Sequence, residues 1–481
     1  MSTKIVRKFQ GEIENYVRKS GEILESSFSM IFKELNIRSH LTRSRICKEE
    51  GYQPIFLLFA IFILPFLHIK TVGALCSQQY HTIIDAKKDT FFRFKNQAFN
   101  WFKLYFDFIQ LLLMKLDMHT PEDSVFIVDD TLTEKRGKRI ENVSFHYDHN
   151  SGRSLLGYCQ VFLGIFNKKS FFPLDFRYKI SNKRAEETPS MRGVDPRNTI
   201  SLHEQEADNF SKLDLAIIMI QRAWKSGIRA RYVLADAWFT VRSFIIDVRL
   251  IAEDLHFIGR VKNSKQLYIY KGQSYTLREL YRKVRRSLKK DEKMHLKCRK
   301  VLVEMNGYGD VVLVFARGYA KPDLQGNEGN TEKSERKWVA FLSTDIDITA
   351  RELIESYIQR WSIEVFFKES KQMLGLGKDQ CRHFTGQVFA TMMSCFRYSV
   401  LGYLNQKENF FDTTGTLFEQ QADALNMISY AKRLWDFFLD LIRFAFEKLF
   451  EILEIHYNFT DFIDVLDRSI ADLFDFQVCE T

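Results

Sequence analysis

Tyr357-Ile-Gln-Arg360-Trp-Ser-Ile-Glu364-Val-Phe-Phe-Lys-Glu-Ser-Lys371 places a phenol, a guanidinium, a carboxylate and an ammonium at offsets 0, 3, 7 and 14. At about 100° per residue these four side chains fall on one side of an α-helix. Thr349-Ala-Arg-Glu352 has the form of a capping box, and Gly375 and Gly377 offer a stop. One helix is therefore predicted over residues 349–374. Its polar row suits a metal ion and a phosphate backbone together. A lone carboxylate on a helix is most often solvated, so the reading turns on carboxylates elsewhere.

Two short apolar runs upstream each end in one: Ser124-Val-Phe-Ile-Val-Asp129 and Arg231-Tyr-Val-Leu-Ala-Asp236. Strand candidates at 157–166 and 171–180 follow the first. Helix candidates at 209–224 and 241–253 flank the second, and a strand at 256–261 comes next. The order β-β-β-α-β-α-β predicts an α/β fold, a mixed sheet with helices on its faces. Ligand sites in such sheets gather at the carboxyl ends of strands. Asp129, Asp236 and Glu364 are thus the candidate catalytic and metal-ligating set. Their hard oxygens suit Mg²⁺ or Mn²⁺. Two such ions would activate an attacking oxygen and stabilise a leaving one in phosphoryl transfer. Asp130 is also available, and adjacent strand residues face opposite ways, so one of the two aspartates serves the site.

The surrounding chain has 481 residues and an ordinary globular composition, 46% hydrophobic and 27% charged. The 44 phenylalanines read as core. Seven scattered cysteines with no CxxC pair argue against a disulfide framework and for a reducing compartment. The start, Met-Ser-Thr-Lys-Ile-Val-Arg, lacks the apolar region of a signal peptide. The most apolar run, 55–67, contains Pro65 and is too short for a bilayer, so a buried helix is expected there. Residues 1–115 read as a helical region, 262–345 as a β-rich insertion, and 401–481 as amphipathic helices. Charge is unevenly spread: 260–300 holds 15 Lys/Arg against 3 Asp/Glu, whereas 401–481 holds 6 against 15. The basic segment, with Lys135, Arg136 and Lys138 after the first carboxylate, suggests a polyanion partner; the acidic tail suits protein contacts. No glycine-rich phosphate loop or nucleophile elbow is present, so ATP use and serine hydrolysis are not expected. His146-x2-His149 with Cys159 lacks a fourth ligand for zinc.

Asp129-x-Thr131 after an apolar strand, Leu-Ala-Asp236-Ala-Trp-Phe, and Tyr357-x2-Arg360-x3-Glu364-x6-Lys371 together resemble the three motifs of bacterial insertion-sequence DDE transposases with the Y-R-E-K signature. The resemblance covers about residues 120–385. It implies an RNase H-like core, 116–261 with 346–400, interrupted by the insertion at 262–345. It implies Asp129, Asp236 and Glu364 as the metal triad, the Asp-x-Thr frame favouring Asp129 over Asp130. Mg²⁺, with Mn²⁺ as substitute, would be the cofactor, as two ions. Tyr357, Arg360 and Lys371 match residues that grip the phosphates of the transposon end. Trp338 matches an insertion-strand tryptophan that stacks on a flipped base; a tryptophan in an apolar strand is more often core. The partners implied are double-stranded DNA and a second copy of the chain, in the bacterial cytoplasm at the nucleoid, with no membrane. The helical region 1–115 is assigned to DNA-end binding. A related nuclease that cuts without joining, or a DNA-binding derivative with a dead site, are the alternatives.

Overall fold

Val125-Phe-Ile-Val128 is buried on both faces, as a strand inside a covered sheet must be. It opens β1 (Val125–Glu134). In the computed structural model, which describes residues 26–48, 50–77, 84, 86–118, 121–148, 151–181, 199–318, 338–408 and 413–453, β1 pairs antiparallel with β3 (Arg153–Phe166). It pairs parallel with β5 (Tyr232–Ala235). The far edge of β3 carries β2 (Ser144–Asp148) along its first part and β4 (Phe171–Lys179) along the rest. β5 is followed by β6 (His256–Arg260), again parallel. The order β4-β3-β1-β5-β6, three antiparallel strands and then two parallel ones, is the RNase H-like arrangement.

β1 does not end at Asp129, as the change to polar residues had suggested. Pairing with β3 continues to Glu134 opposite Gly157. A side chain at Gly157 would put its Cβ 2.2 Å from the Thr133 carbonyl oxygen, so glycine lets the two strands approach.

The insertion extends the same sheet. It comprises β7 (Leu267–Tyr270), β8 (Gln273–Thr276), β9 (Lys289–Asp291), β10 (Leu296–Met305), β11 (Gly309–Gly318) and β12 (Trp338–Ser343). β12 pairs antiparallel with β6 and joins the insertion to the core, giving 12 strands among the described residues. The insertion also contains a helix, Leu277–Val284, which the β-rich expectation did not include. Its signals are local: a Thr276–Glu279 capping box, with Leu277, Leu280, Tyr281 and Val284 buried at helical spacing. The loop 319–337 lies outside the described residues, as do 1–25, 182–198 and 454–481.

Numbered in chain order, the helices are α1 (Ser27–Glu34), α2 (Ile37–Arg43), α3 (Pro54–Ile63), α4 (Val72–Cys76), α5 (Lys88–Asn96), α6 (Trp101–Lys115), α7 (Thr199–Asn209), α8 (Lys212–Lys225), α9 (Arg242–Ile251), α10 (Leu277–Val284), α11 (Ala350–Ile358), α12 (Trp361–Glu369), α13 (Phe384–Glu408) and α14 (Thr414–Leu453). α3 is the buried helix expected from the apolar run, with eight of its ten residues in the core. The chain divides into two compact units: Met1–Glu34 with Cys47–Phe94 and Glu419–Thr481, and Leu35–Ile46 with Lys95–Phe418. The expected boundaries at 115 and 400 differ from this division. α6 belongs with the sheet because nearly all its faces are apolar and its Tyr105 hydroxyl donates to the Pro173 carbonyl of β4 at 2.5 Å. In the first unit, Phe28, Phe62 and Phe66 pack ring against ring, and the Asn426 amide donates to the Phe66 carbonyl. No helix among the described residues is long and apolar enough to cross a membrane.

Candidate active site

The β1–β5 register sets Val128 against Ala235, so the next residues, Asp129 and Asp236, stand side by side at the carboxyl end of β5. After Asp236 the backbone turns. Its Oδ1 accepts the amides of Trp238 at 2.8 Å and Phe239 at 3.2 Å, which fixes the carboxylate as a turn cap. Glu364 on α12 completes a 510 Å³ cleft bordered by all three carboxylates, with Arg260, Lys262 and Arg360. Asp130 takes another partner: its Oδ2 accepts Lys212 Nζ at 2.8 Å and the Cys159 thiol at 3.4 Å. The period-two alternation of β1 thus gives the two aspartates different partners.

The stretch 349–374 is not one uniform helix. The capping box is formed, Thr349 with Glu352, and α11 follows. At Gln359-Arg360 the hydrogen bonds tighten to i→i−3: Arg360 N to Tyr357 O at 3.0 Å and Ile363 N to Arg360 O at 3.2 Å. α12 resumes at Trp361, and residues 370–374 widen into a π-helical turn. The polar row is consequently divided. Tyr357, Arg360 and Glu364 line the cleft, whereas Lys371 borders a second groove of 850 Å³. Its Nζ donates to Thr131 Oγ1 at 2.6 Å and the Leu132 carbonyl at 2.9 Å.

Arg360 lies between the carboxylates. Nη1 donates to Asp129 Oδ2 at 2.9 Å and Nη2 to Glu364 Oε1. The Tyr357 ring, packed on Phe341, lies 5.6 Å from the guanidinium carbon. Burial pushes the Asp129 pKa up to about 7 against the pull of Arg360, and neighbouring Asp236 pushes it further. Among the described residues no three His, Cys, Asp or Glu side chains stand close enough to ligate an ion as they are; the positive charge shared by Asp129 and Glu364 is the guanidinium. The donor set fits a hard divalent ion nonetheless, since it consists of carboxylate oxygens around a site that already holds a cation.

The other expected contacts fall differently. Trp338 lines the cleft while stacked on Tyr281, centroids 4.2 Å apart and planes 12° apart. One stack is thus intramolecular, and the wall beside it is open to the cleft. Arg136 and Lys138 are exposed. Lys135 is buried instead, donating to the Gly377 and Asp379 carbonyls at 2.9 and 2.7 Å, a structural tie rather than a surface cation. Trp361 is 62% exposed. His146 bonds Ser144, and burial lowers its pKa to about 4; His149 lies outside the described residues. Arg260 and Lys262 line the cleft without having been read as site residues. Arg260 ends β6 and Lys262 comes two residues later, where the strand-end rule that found Asp236 would also have pointed.

A family model described as DDE superfamily endonuclease matches residues 70–295, and one described as transposase DDE domain matches 203–399. No curated protein matches the chain. Among solved structures, the chain is similar to piggyBac transposase in its cryo-EM synaptic complex with hairpin DNA, at 14% identity, 83% coverage of this chain, 78% of that one, and a TM-score of 0.41. The two family models overlap at 203–295, and between them they span the strands, the insertion and the helix that assemble the carboxylate cleft.

Proposed function

We propose that the chain is an insertion-sequence transposase: it binds the terminal inverted repeats of its element, cuts DNA strands there, and joins the freed 3′-hydroxyls to target DNA. The observation that carries this reading is the meeting of Asp129, Asp236 and Glu364, from β1, the β5 turn and α12, in one cleft walled by Arg260, Lys262 and Arg360. Asp129, Asp236 and Glu364 would hold Mg²⁺, or Mn²⁺ in its place, as two ions. When bound, the metal activates the attacking water or 3′-hydroxyl and stabilises the leaving oxygen. Arg360 neutralises Asp129 and Glu364 in the free protein, and its fork suits a DNA phosphate equally well. Tyr357 backs the guanidinium, and Trp338 offers an aromatic wall for an extruded base. The exposed cations of α10 and β9, with Arg136 and Lys138, supply a sequence-independent grip on the backbone. Pairing of two ends calls for a second copy of the chain.

The test uses a plasmid bearing the DNA that flanks this gene. Wild-type protein with Mg²⁺ is expected to nick and join the ends. Asp236→Asn and Glu364→Gln are expected to lose cleavage by at least about 10²-fold while still shifting the DNA in a gel. Cleavage retained by either variant sinks the triad. Pre-cut ends that are never joined to target DNA would reduce the chain to a nuclease.

A further inference from the structure

Asp129 and Asp236 border two cavities, the 510 Å³ cleft and the 850 Å³ groove, and Lys262 borders both. Each cavity has its own tryptophan: Trp338 in the cleft, Trp238 in the groove. Trp238 follows the catalytic Asp236 by two residues. Its backbone is pinned to that carboxylate, and its ring meets the buried Phe239 ring edge-on at 5.0 Å. Lys212 Nζ lies 4.9 Å from the ring centroid and also neutralises Asp130. The ring is thus held from two sides, yet the residue remains 40% exposed. A single exposed tryptophan is ordinary. One positioned beside the reacting centre, in a groove that sets Lys262, Lys371 and Lys378 among the carboxylates Asp129, Asp130, Glu134, Asp148 and Asp236, brings an aromatic face for a base together with cations for phosphates.

We propose that this groove binds an unpaired stretch of DNA, with Trp238 stacking on a base on the opposite side of the reacting phosphate from Trp338. The assignment rests on the proposed reading of the carboxylates as a DNA-cleaving centre. A strand crossing the carboxylates then has one tryptophan on each side, and Lys262 faces the backbone at the crossing. The base must be unpaired, because a stacked pair in a duplex offers no free face.

The experiment measures binding of an oligo(dT) strand carrying one central 2-aminopurine, by fluorescence, across a salt series. EDTA is present throughout, so the result reads the groove whether or not the chain cuts DNA. Trp238→Ala is expected to weaken binding about fivefold or more and to restore 2-aminopurine fluorescence in the bound state, with an unchanged slope of log K against log salt. Trp238→Phe is expected to keep most of the affinity, which separates stacking from a folding defect. Lys378→Ala is expected to flatten the salt slope by about 0.7. The proposal is overturned if folded Trp238→Ala binds like wild type, if Trp238→Phe loses as much as Trp238→Ala, or if a blunt duplex loses equally.

Discussion

Asp129 shows how far the surroundings of a single cleft carboxylate change its chemistry. Burial holds its pKa at about 7 in the metal-free protein, far above the ordinary carboxylate value near 4. Between roughly pH 4 and pH 7 the folded chain therefore keeps a proton that the unfolded chain releases, and stability falls as pH rises through that window. The slope from this group is at most about 1.4 kcal/mol per pH unit, and it vanishes above pH 7. Urea unfolding in EDTA at pH 5 and pH 8 checks this: Asp129→Asn should remove part of the difference, and identical pH dependence in both proteins contradicts it. Lys135 makes a second residue-scale case. It was a candidate DNA contact by its place in a basic run, yet it ties two loop carbonyls in the interior, where burial lowers its pKa to about 8. Lys135→Ala should cost roughly 1–3 kcal/mol by removing two buried hydrogen bonds to carbonyls, whereas exposed Lys138→Ala should stay within about 0.5 kcal/mol. Thermal melting of the two variants distinguishes them.

Among the elements, the segment from α11 through the π-helical turn decides which side chains share a cavity. Uniform winding would keep Tyr357, Arg360, Glu364 and Lys371 in one row. Tightening at Gln359-Arg360 and widening at 370–374 send Lys371 to the neighbouring groove. Gly375 and Gly377 then end the segment at φ +88° and +77°, and a Cβ on Gly377 would meet Thr133 side-chain carbons at 2.8 Å. Gly377→Ala should therefore lose about 1–2 kcal/mol in a denaturant titration from the left-handed backbone alone, more if Thr133 cannot yield. An unchanged midpoint would mean that the turn relaxes freely. The motif spacing located the helical segment and the polar side chains along it. It could not show the winding defects, because they answer to contacts with β1, far away in the sequence.

The molecule as a whole groups its helices by packing rather than by chain order. α1, α3 and α4 fall in one unit with the chain from Glu419 onward, and the Asn426–Phe66 hydrogen bond lies within it. Deleting 419–481 should expose residues 47–94 to limited proteolysis while the sheet unit, Lys95–Phe418, stays resistant. Equal resistance in the full chain and the truncated one would contradict this. Much was legible from sequence at this scale: the core strands other than β2, the insertion before α11, and the placement of Asp236 after β5 and Glu364 on a helix. Apolar runs, capping boxes and turn residues are local, and each acts within a few neighbours. What the residues could not reveal were the long-range facts: that β12 fuses the insertion to β6, that the β1–β5 register brings Asp129 level with Asp236, that Arg360 rather than a solvated face meets the carboxylates, and that Lys135 is buried. These depend on strand registers and on desolvation between segments more than eighty residues apart, which no local pattern encodes.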